Sequence, residues 1–286
     1  MKLSIVLSTD PAQFEAVIYK GDVNHALAQI AELGYEGVEL AVRDPGRVTV
    51  AALEAALSAH RLQVVALGTG QAYGEDGLSF TDSQAEVRAQ AIDRFKNHIR
   101  LASRLGAVVI VGLIRGRTQP GAGPTQAMTW LEAALAECVE AAAQQQVQLV
   151  LEPINRYETD LINTLDEGLA LLQRLGAPPS VLGLLPDTFH MNIEEPSLET
   201  SLRRAAARIT HFHVADSNRW YPGAGHLNFG RLLTLLRDDL EYSGWVSVEA
   251  LPRPDALTAA TEGLRHLRAC LTDGMRAHPH LGSTGG

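Results

Sequence analysis

The 286-residue sequence contains few lysines and few cysteines. Its three lysines are Lys2, Lys20 and Lys96, and none lies where a catalytic side chain would follow a strand. Schiff-base chemistry, which needs a desolvated lysine, is therefore not expected. The two cysteines, Cys138 and Cys270, lie in stretches of helical periodicity. They predict buried thiols of a reducing compartment rather than a disulfide framework.

The sequence also lacks a basic surplus and a long hydrophobic run. The formal net charge is −9 at pH 7, whereas nucleic-acid binding depends on a basic face that neutralises phosphates. The N-terminal MKLSIVLSTD has a short apolar run that polar residues interrupt, unlike a secretory signal or a membrane span. We therefore expect a cytoplasmic protein that acts on a small molecule and has neither a nucleic-acid nor a membrane partner.

No linker rich in proline, glycine or serine divides the chain, and one pattern runs through it eight times. Short β-branched stretches alternate with longer stretches in which apolar residues recur every three or four positions. The predicted strands cover residues 2–8, 37–42, 62–68, 107–113, 147–153, 181–187, 210–216 and 245–251. Eight strand–helix units in this length predict an α/β protein that forms a single (β/α)8 TIM barrel over residues 1–276. The remaining residues, 277–286, are predicted to be a disordered tail.

The helical stretches carry signals for their own ends. Several of them stop at a glycine, and glycine is common in the left-handed conformation that ends a helix. These glycines are Gly34, Gly106, Gly176 and Gly244. Each is predicted to close a helix.

Polar side chains stand near the ends of four consecutive predicted strands. They are Glu152 on the fifth strand, Asp187 on the sixth, His213 on the seventh and Glu249 on the eighth. A TIM barrel places its catalytic side chains at the C-terminal ends of its strands, so the four are expected to converge. Taken singly, each could cap a helix or pair with an arginine, but together three carboxylates repel one another unless a cation lies between them. Oxygen-rich ligation with one nitrogen favours Mn²⁺, with Mg²⁺ or Co²⁺ as alternatives, over a thiolate-type zinc site.

The stretch HFHVADSNRWYPGAGH (211–226) combines a strand with a polar loop. His211 and His213 are two residues apart and therefore share one face of the strand. We expect His211 to be a hydrogen-bonded residue deeper in the barrel. Asp216 and His226 are candidates for orienting His213 or Arg219, and stabilisation of the loop is the open alternative.

Several motifs carry a family resemblance. Four stretches resemble the xylose-isomerase-like sugar isomerase/epimerase barrels, in particular the ketose 3-epimerase branch: EPINRYETD (152–160), DTFHMNIEE (187–195), HFHVADSNRWYPGAGH (211–226) and VSVEALP (246–252). The resemblance extends over nearly the whole chain. Three further stretches resemble a keto-uronate epimerase that acts on 5-keto-L-gluconate and D-tagaturonate in inositol catabolism: AVRDP (41–45), GTGQAY (68–73) and GLIRGR (112–117).

The resemblance implies a chemistry for the strand-end residues. Glu152, Asp187, His213 and Glu249 correspond to the ligands of one divalent ion, and Glu152 and Glu249 also correspond to a paired acid and base. A proton next to a ketone is weakly acidic, and a cation stabilises the enediolate that forms when a carboxylate removes it. A second carboxylate on the other face returns a proton, which inverts the carbon.

The resemblance also implies contacts with the substrate. His190 and Arg219 match residues that hold the substrate oxygens near the carbonyl, and Glu158 matches a further polar contact. Arg115 and Arg117 follow the fourth strand and are expected to hang over the barrel mouth, where a guanidinium can clamp a uronate carboxylate with two hydrogen bonds. The open alternative for these two arginines is pairing with a nearby acid or with water.

These observations predict a metal-dependent epimerase that inverts the carbon next to the ketone of a keto-sugar or keto-uronate, assembled as a homodimer or homotetramer as related barrels are. A free-ketose 3-epimerase of the tagatose or allulose type, an aldose–ketose isomerase and an inosose dehydratase are alternatives that differ only by motif likeness. An endonuclease of the same superfold would show a basic groove and more metal-binding histidines. A ligand-binding barrel without activity would not need both acid/base carboxylates.

Overall fold

The computed structural model describes residues 1–277, with side chains to position 272. The predicted tail at 277–286 lies outside the described residues, apart from its first position. Within this range no helix is long and apolar enough to cross a membrane.

The described chain contains nine parallel strands. They are β1 (Lys2–Ser8), β2 (Tyr19–Lys20), β3 (Gly37–Ala41), β4 (Gln63–Gly68), β5 (Val108–Val111), β6 (Leu149–Leu151), β7 (Leu182–Leu184), β8 (Phe212–Val214) and β9 (Trp245–Val248). Eight of them pair in the order β7, β6, β5, β4, β3, β1, β9 and β8, and the two-residue strand β2 pairs with β1. Two parallel bridges, Leu184 with Ile209 and Asp187 with His213, join the β7 side to the β8 side. The sheet is therefore closed into a barrel.

Helices follow every strand of the barrel. They are α1 (Val23–Leu33), α2 (Val50–His60), α3 (Gly70–Gly74), α4 (Ala85–Leu105), α5 (Pro124–Gln145), α6 (Leu165–Leu175), α7 (Thr188–Glu194), α8 (Leu198–Ala205), α9 (Phe229–Thr234) and α10 (Ala256–Ala277). This alternation confirms the predicted (β/α)8 fold. The short helices α3 and α7 were not predicted.

Three of the four predicted glycine helix ends are present. Gly34, Gly106 and Gly176 close α1, α4 and α6 in the left-handed conformation. The prediction for Gly244 is wrong, because α9 continues as a π-helical turn that ends at Asp239. The glycine lies beyond that turn, immediately before β9.

The two faces of each strand serve different layers of the protein. On β8, Phe212 and Val214 belong to the large apolar core that includes residues of the surrounding helices. Since side chains alternate along a strand, His211 and His213 face the interior of the barrel. On β6, Val150 faces the same interior and packs in a small apolar cluster with Ile110 and others. The interior is thus apolar where β4 to β7 meet and polar on the side of β8.

Candidate active site

A cavity of about 350 Å³ lies at the C-terminal ends of the strands. Glu152, His213 and Glu249 line it, as a catalytic site at this face of a TIM barrel requires. Phe14, from the connection between β1 and β2, and Tyr73 of α3 line it as well. The volume suits a molecule of the size of a small sugar.

The four predicted metal ligands meet at this cavity. Glu152, Asp187, His213 and Glu249 each offer one ligand atom within 4.8 Å of the others. The Nδ1 atom of His213 lies 3.4 Å from Oε1 of Glu152 and 3.8 Å from Oδ2 of Asp187. Its distance from Oε2 of Glu249 is also 3.8 Å. These separations exceed the usual range of a hydrogen bond and leave room between the atoms.

Several of these polar atoms are buried without a partner. Oε1 of Glu152, Oδ2 of Asp187 and Nδ1 of His213 have no hydrogen-bond partner among the described residues. Each such group costs about 1–3 kcal/mol if it stays unsatisfied. Because the donor set is three carboxylates and one imidazole nitrogen, it fits a divalent cation that prefers oxygen and nitrogen.

Asp187 serves two functions with its two carboxylate oxygens. Its Oδ1 accepts a hydrogen bond of 2.7 Å from the backbone N–H of Phe189 and so caps α7. Its Oδ2 is the atom that faces the cluster. The helix cap and the metal ligand, which were alternatives in the sequence, are therefore compatible in one residue. Burial raises the pKa of Asp187, but the neighbouring His190 and His213 outweigh it and lower the pKa to about 2.

Burial and the neighbouring carboxylates both act on the pKa of Glu249. Burial raises the pKa of this carboxyl group well above its ordinary value, and the negative charges of Glu152 and Asp187 add to the rise. His213 and Arg219 oppose it without cancelling it. A cation at the centre of the cluster would remove this electrostatic cost.

Glu39 of β3 is a buried carboxylate next to the candidate metal ligands that the sequence analysis did not single out. Its side chain is buried in the barrel, and its Oε2 lies 2.8 Å from Nε2 of His211 and 2.9 Å from Nε2 of His213. Burial raises the pKa of Glu39, but the two histidines outweigh it and hold the pKa far below its ordinary value. His211 is hydrogen-bonded inside the barrel, as expected. The available signal was a carboxylate inside the apolar strand GVELAV, the same signal that identified Glu152.

His190 of α7 faces the cluster from the side. Its Nδ1 lies 2.7 Å from the amide nitrogen of Asn155. Because that amide donates, Nδ1 must accept, and the ring proton lies on Nε2, 3.8 Å from Oε1 of Glu152. Burial lowers the pKa of His190 and so favours this neutral form. His190 thus presents an N–H donor next to the candidate metal ligands.

Arg219 lies in the loop after β8, in a left-handed backbone conformation with φ of 63°. Its guanidinium donates to Oε1 of Glu158 at 2.6 Å and lies 3.7 Å from Oε2 of Glu249. The rings of Phe14 and Phe189 lie against it, with centroids 5.2 Å and 4.8 Å from the guanidinium carbon. The predicted substrate-contact residues His190, Arg219 and Glu158 all line the same cavity.

The expectation that Arg115 hangs over the barrel mouth is corrected by the structure. Its side chain is fully buried and donates to backbone carbonyl oxygens of Gly112, Glu152, Leu161 and Ile162. The loop after β6 covers this guanidinium, which therefore has no face left for a substrate carboxylate.

Arg117 and His226 also lie away from the cavity. Arg117 is exposed, and its backbone carbonyl accepts the hydroxyl of Thr81. His226 is exposed on the loop after β8, with its Nδ1 2.9 Å from the hydroxyl of Ser217. Neither residue lines the cavity, so these contacts do not support a substrate clamp at Arg117 or an orienting role for His226, and both roles stay predictions.

Asp216 stabilises the loop that carries Arg219. Its buried carboxylate accepts hydrogen bonds from the backbone N–H groups of Ser217, Gly223 and Leu227. Its backbone carbonyl accepts from the N–H of Arg219 at 2.8 Å. Of the two readings left open by the sequence, the loop-stabilising one agrees with these contacts, and Arg219 is oriented through the backbone.

Gln71 of α3 is a second residue that the sequence did not single out. Its amide nitrogen donates to the hydroxyl of Ser8 at 2.5 Å, and that hydroxyl in turn donates to the carbonyl of Asp10. The amide oxygen is left buried and without a partner among the described residues. Gln71 belongs to the motif GTGQAY and lines the cavity.

A closed (β/α)8 barrel with three carboxylates and one imidazole at the mouth defines the class, a TIM-barrel enzyme with a candidate divalent-metal centre. The chain belongs to the xylose isomerase-like TIM barrel family, whose model matches residues 27–270. This confirms the resemblance seen in the sequence.

Two curated relatives cover most of the chain. The L-ribulose 3-epimerase of Methylomonas sp. (strain DH-1) is 30% identical over 244 residues, which are 82% of this chain and 82% of the relative. The 3-dehydro-D-guloside 4-epimerase of Escherichia coli (strain K12) is 29% identical over 251 residues, 84% of this chain and 92% of the relative. Together with the family match, these relatives identify the chain as an isomerase of the carbohydrate-epimerase type.

A solved structure shows the same fold. The D-allulose 3-epimerase from Methylomonas sp., in complex with D-allulose, superposes with a TM-score of 0.80 at 24% sequence identity. The match covers 94% of this chain and 96% of that chain. The barrel and its connections are therefore shared over nearly their full length.

Proposed function

We propose that this enzyme inverts the carbon next to the ketone of an uncharged keto-sugar and depends on one divalent metal ion, preferably Mn²⁺. Glu152, Asp187, His213 and Glu249 would hold the ion. The observation that carries this proposal is the set of buried ligand atoms, three of which have no partner among the described residues, that converge at the cavity and include the carboxylates of Glu152 and Glu249.

Glu152 and Glu249 are proposed as the acid/base pair. They follow β6 and β9, which two strands separate on one side of the barrel and four on the other. The two carboxylates thus approach a bound sugar from different directions. One carboxylate accepts the proton next to the ketone, and the other, as a carboxylic acid, donates a proton to the opposite face of the same carbon. Turnover in the reverse direction exchanges these two protonation states.

A divalent ion, when bound, would polarise the ketone and stabilise the negative charge of the enediolate. The N–H of His190 and the guanidinium of Arg219 are placed to donate hydrogen bonds to the substrate oxygens near the carbonyl. Glu158 holds Arg219 in place through their 2.6 Å contact. The rings of Phe14 and Phe189 pack against the guanidinium and reduce its exposure to water, which strengthens this contact.

An uncharged keto-sugar is supported better than a keto-uronate. The guanidinium of Arg115 donates its hydrogen bonds to backbone carbonyls, Arg117 lies outside the cavity, and Arg219 forms an ion pair with Glu158. Arg219 is the one guanidinium among the described residues that line the cavity, and Glu158 already neutralises its charge, which favours a neutral substrate. The names of both relatives describe inversion at a carbon next to a ketone, which fits the same chemistry.

A substrate screen in deuterated water tests the proposal. Free ketoses and keto-uronates are incubated with the enzyme and Mn²⁺, and the stereochemistry and isotope content of the products are read by NMR. We expect a ketose to be inverted at the carbon next to its ketone, with solvent deuterium at that carbon. Preference for keto-uronates would restore that substrate class, and product without solvent label would exclude the proton-transfer mechanism.

Two variants and one chelation experiment accompany the screen. Glu152→Gln and Glu249→Gln should each lower kcat by about 10²–10⁴-fold or more, since each removes a positioned acid or base. Removal of metal with EDTA should abolish turnover, and Mn²⁺ should restore it. Full activity of either glutamine variant, or of the metal-free enzyme, would contradict the proposal.

The homodimer or homotetramer expected from the sequence stays a prediction, as does the cytoplasmic location. Sedimentation velocity of the full chain measures the oligomeric state directly. A monomer at micromolar concentration would contradict the first of these expectations.

A further inference from the structure

We propose that Glu39 is a positioning residue for the metal-binding histidine. It holds the ring proton of His213 on Nε2, so that Nδ1 presents its lone pair to the metal cluster. This inference rests on the metal site proposed above and adds a residue that lies outside the four ligands.

The hydrogen bond between Glu39 and His213 determines where the ring proton lies. An ionised carboxylate can only accept, so the 2.9 Å contact with Oε2 of Glu39 requires a proton on Nε2 of His213. A neutral imidazole carries one such proton. Nδ1 is then left as an acceptor, and it is the ring atom that faces the carboxylates of the cluster.

Without Glu39, the same ring would have a reason to adopt the other tautomer. Oε1 of Glu152 lies 3.4 Å from Nδ1 of His213, and Oδ2 of Asp187 lies 3.8 Å away. Both are buried acceptors without a partner among the described residues, and a proton on Nδ1 would satisfy one of them. Such a proton would occupy the position that a metal ion needs. Glu39 therefore competes with the metal ligands themselves for the proton of His213.

A second histidine, His211, also holds the carboxylate of Glu39. The same oxygen contacts Nε2 of His211 at 2.8 Å, and that nitrogen lies 3.2 Å from the hydroxyl of Ser247. The hydroxyl groups of Ser247 and Ser4 are 2.6 Å apart. Two histidine donors on one carboxylate oxygen offset the cost of burying its charge and restrict its rotation. The carboxylate is thus rigid enough to orient a ligand.

The first test measures binding of Mn²⁺ alone to metal-free protein by titration calorimetry and by the EPR signal of free Mn²⁺. Glu39→Gln keeps the shape of the side chain but removes its charge, and its amide can offer an N–H to Nε2 of His213. We expect Mn²⁺ affinity to fall by about 10–100-fold, as is usual when the partner of a metal-binding histidine is removed. Glu36→Gln, the same substitution at an exposed position three residues earlier in the chain, is the control and should bind Mn²⁺ as the unmodified protein does.

The second test reads the tautomer directly. In protein labelled with ¹⁵N-histidine and saturated with diamagnetic Mg²⁺, where a ligating imidazole is neutral, the signal of His213 should show a protonated Nε2 and an unprotonated Nδ1. In Glu39→Gln the protonated population at Nδ1 should rise. A residue that merely filled space in the barrel would not change this spectrum.

Each outcome separates the two proposals. If the unmodified protein does not bind Mn²⁺, the metal site itself is wrong. If it binds and Glu39→Gln binds equally well with the same tautomer, the role of Glu39 is wrong. If Glu39→Gln does not fold, Glu39→Asp replaces it, because the shorter carboxylate keeps the charge and is withdrawn from His213. Weaker Mn²⁺ binding by Glu39→Asp supports the inference, and unchanged binding overturns it.

Discussion

Replacing Arg115 with methionine tests whether its guanidinium stabilises the fold or binds substrate. Methionine keeps an unbranched side chain that fills part of the same space but offers no donor. The guanidinium is fully buried, and burial lowers its pKa to about 10, so Arg115 is charged at neutral pH. The substitution therefore removes a charge together with all of its hydrogen bonds.

The expected loss of stability follows from the four carbonyl oxygens that Arg115 contacts. Those of Gly112 and Ile162 also accept backbone N–H groups. Those of Glu152 and Leu161 have no other donor among the described residues. A buried polar group left without a partner costs about 1–3 kcal/mol, so two of them predict a loss of about 2–6 kcal/mol. The affected carbonyl of Glu152 belongs to a proposed metal ligand, so turnover should fall as well.

Urea unfolding followed by circular dichroism measures this loss, with Arg117→Met as the matched control. Arg117 is exposed two residues away, and its replacement should change the free energy of unfolding by no more than about 0.5 kcal/mol. Equal stability of the two variants would refute the reasoning. If Arg115→Met is also stable and raises KM for keto-uronates but not for neutral ketoses, Arg115 is a substrate clamp after all.

Two further predictions concern buried groups outside the metal cluster. Burial raises the pKa of Asp216, but hydrogen bonds from backbone N–H groups, including that of Leu227, outweigh it and lower the pKa. The stability it contributes is therefore present above the ordinary carboxyl pKa of about 3.9 and is lost as the pH falls through the folded-state pKa. Asp216→Asn should lower the free energy of unfolding, measured by urea titration, by about 1–3 kcal/mol at pH 7. The decrease of this free energy at acid pH should also become smaller in the variant. An unchanged dependence of the free energy of unfolding on pH would exclude this role. Burial raises the pKa of the Cys138 thiol to about 12. In a Cys270→Ser variant, where Cys138 is the remaining cysteine, we therefore expect a thiol reagent to label Cys138 only after unfolding. Rapid labelling of the native protein would contradict this.

The barrel could be predicted because its signal repeats along the chain. Eight alternations of strand and helix leave few other topologies, and each contributes periodicity over many residues. The helices α3 and α7 have five and seven residues, too few for a periodic signal. The strands near the site are shorter than predicted, because β6, β7, β8 and β9 end two or three residues before their predicted ends.

The site could be predicted in part, for a related reason. Glu152, Asp187, His213 and Glu249 share a position in the repeat, and the strand-end rule finds all four. Glu39 escaped because it lies in the middle of β3 and its partners are more than 170 residues further along the chain. Such a contact depends on closure of the barrel, which no local pattern encodes.

Arg115 shows the opposite error. A charged residue in a glycine-containing loop is expected to be exposed, as Arg117, two residues after Arg115, is. Arg115 is buried because the loop after β6 folds over it and turns three carbonyl groups towards it, those of Glu152, Leu161 and Ile162. The burial of Arg115 therefore depends on a second loop that lies at least 37 residues away in sequence.

The backbone of Arg219 is strained, whereas its guanidinium makes the substrate contact proposed above. A left-handed conformation at a residue other than glycine costs about 1–2 kcal/mol, and here two 2.8 Å hydrogen bonds, to the carbonyl of Asp216 and from the N–H of Leu251, enforce it. Glycine at this position would relieve the strain and discard the guanidinium. Glycine would also remove the ion pair with Glu158, so the net change in stability at position 219 is smaller than the relief of strain. With the substrate contact proposed for Arg219, stability and turnover are separate properties at this position, and a selection for resistance to heat should score both in every round.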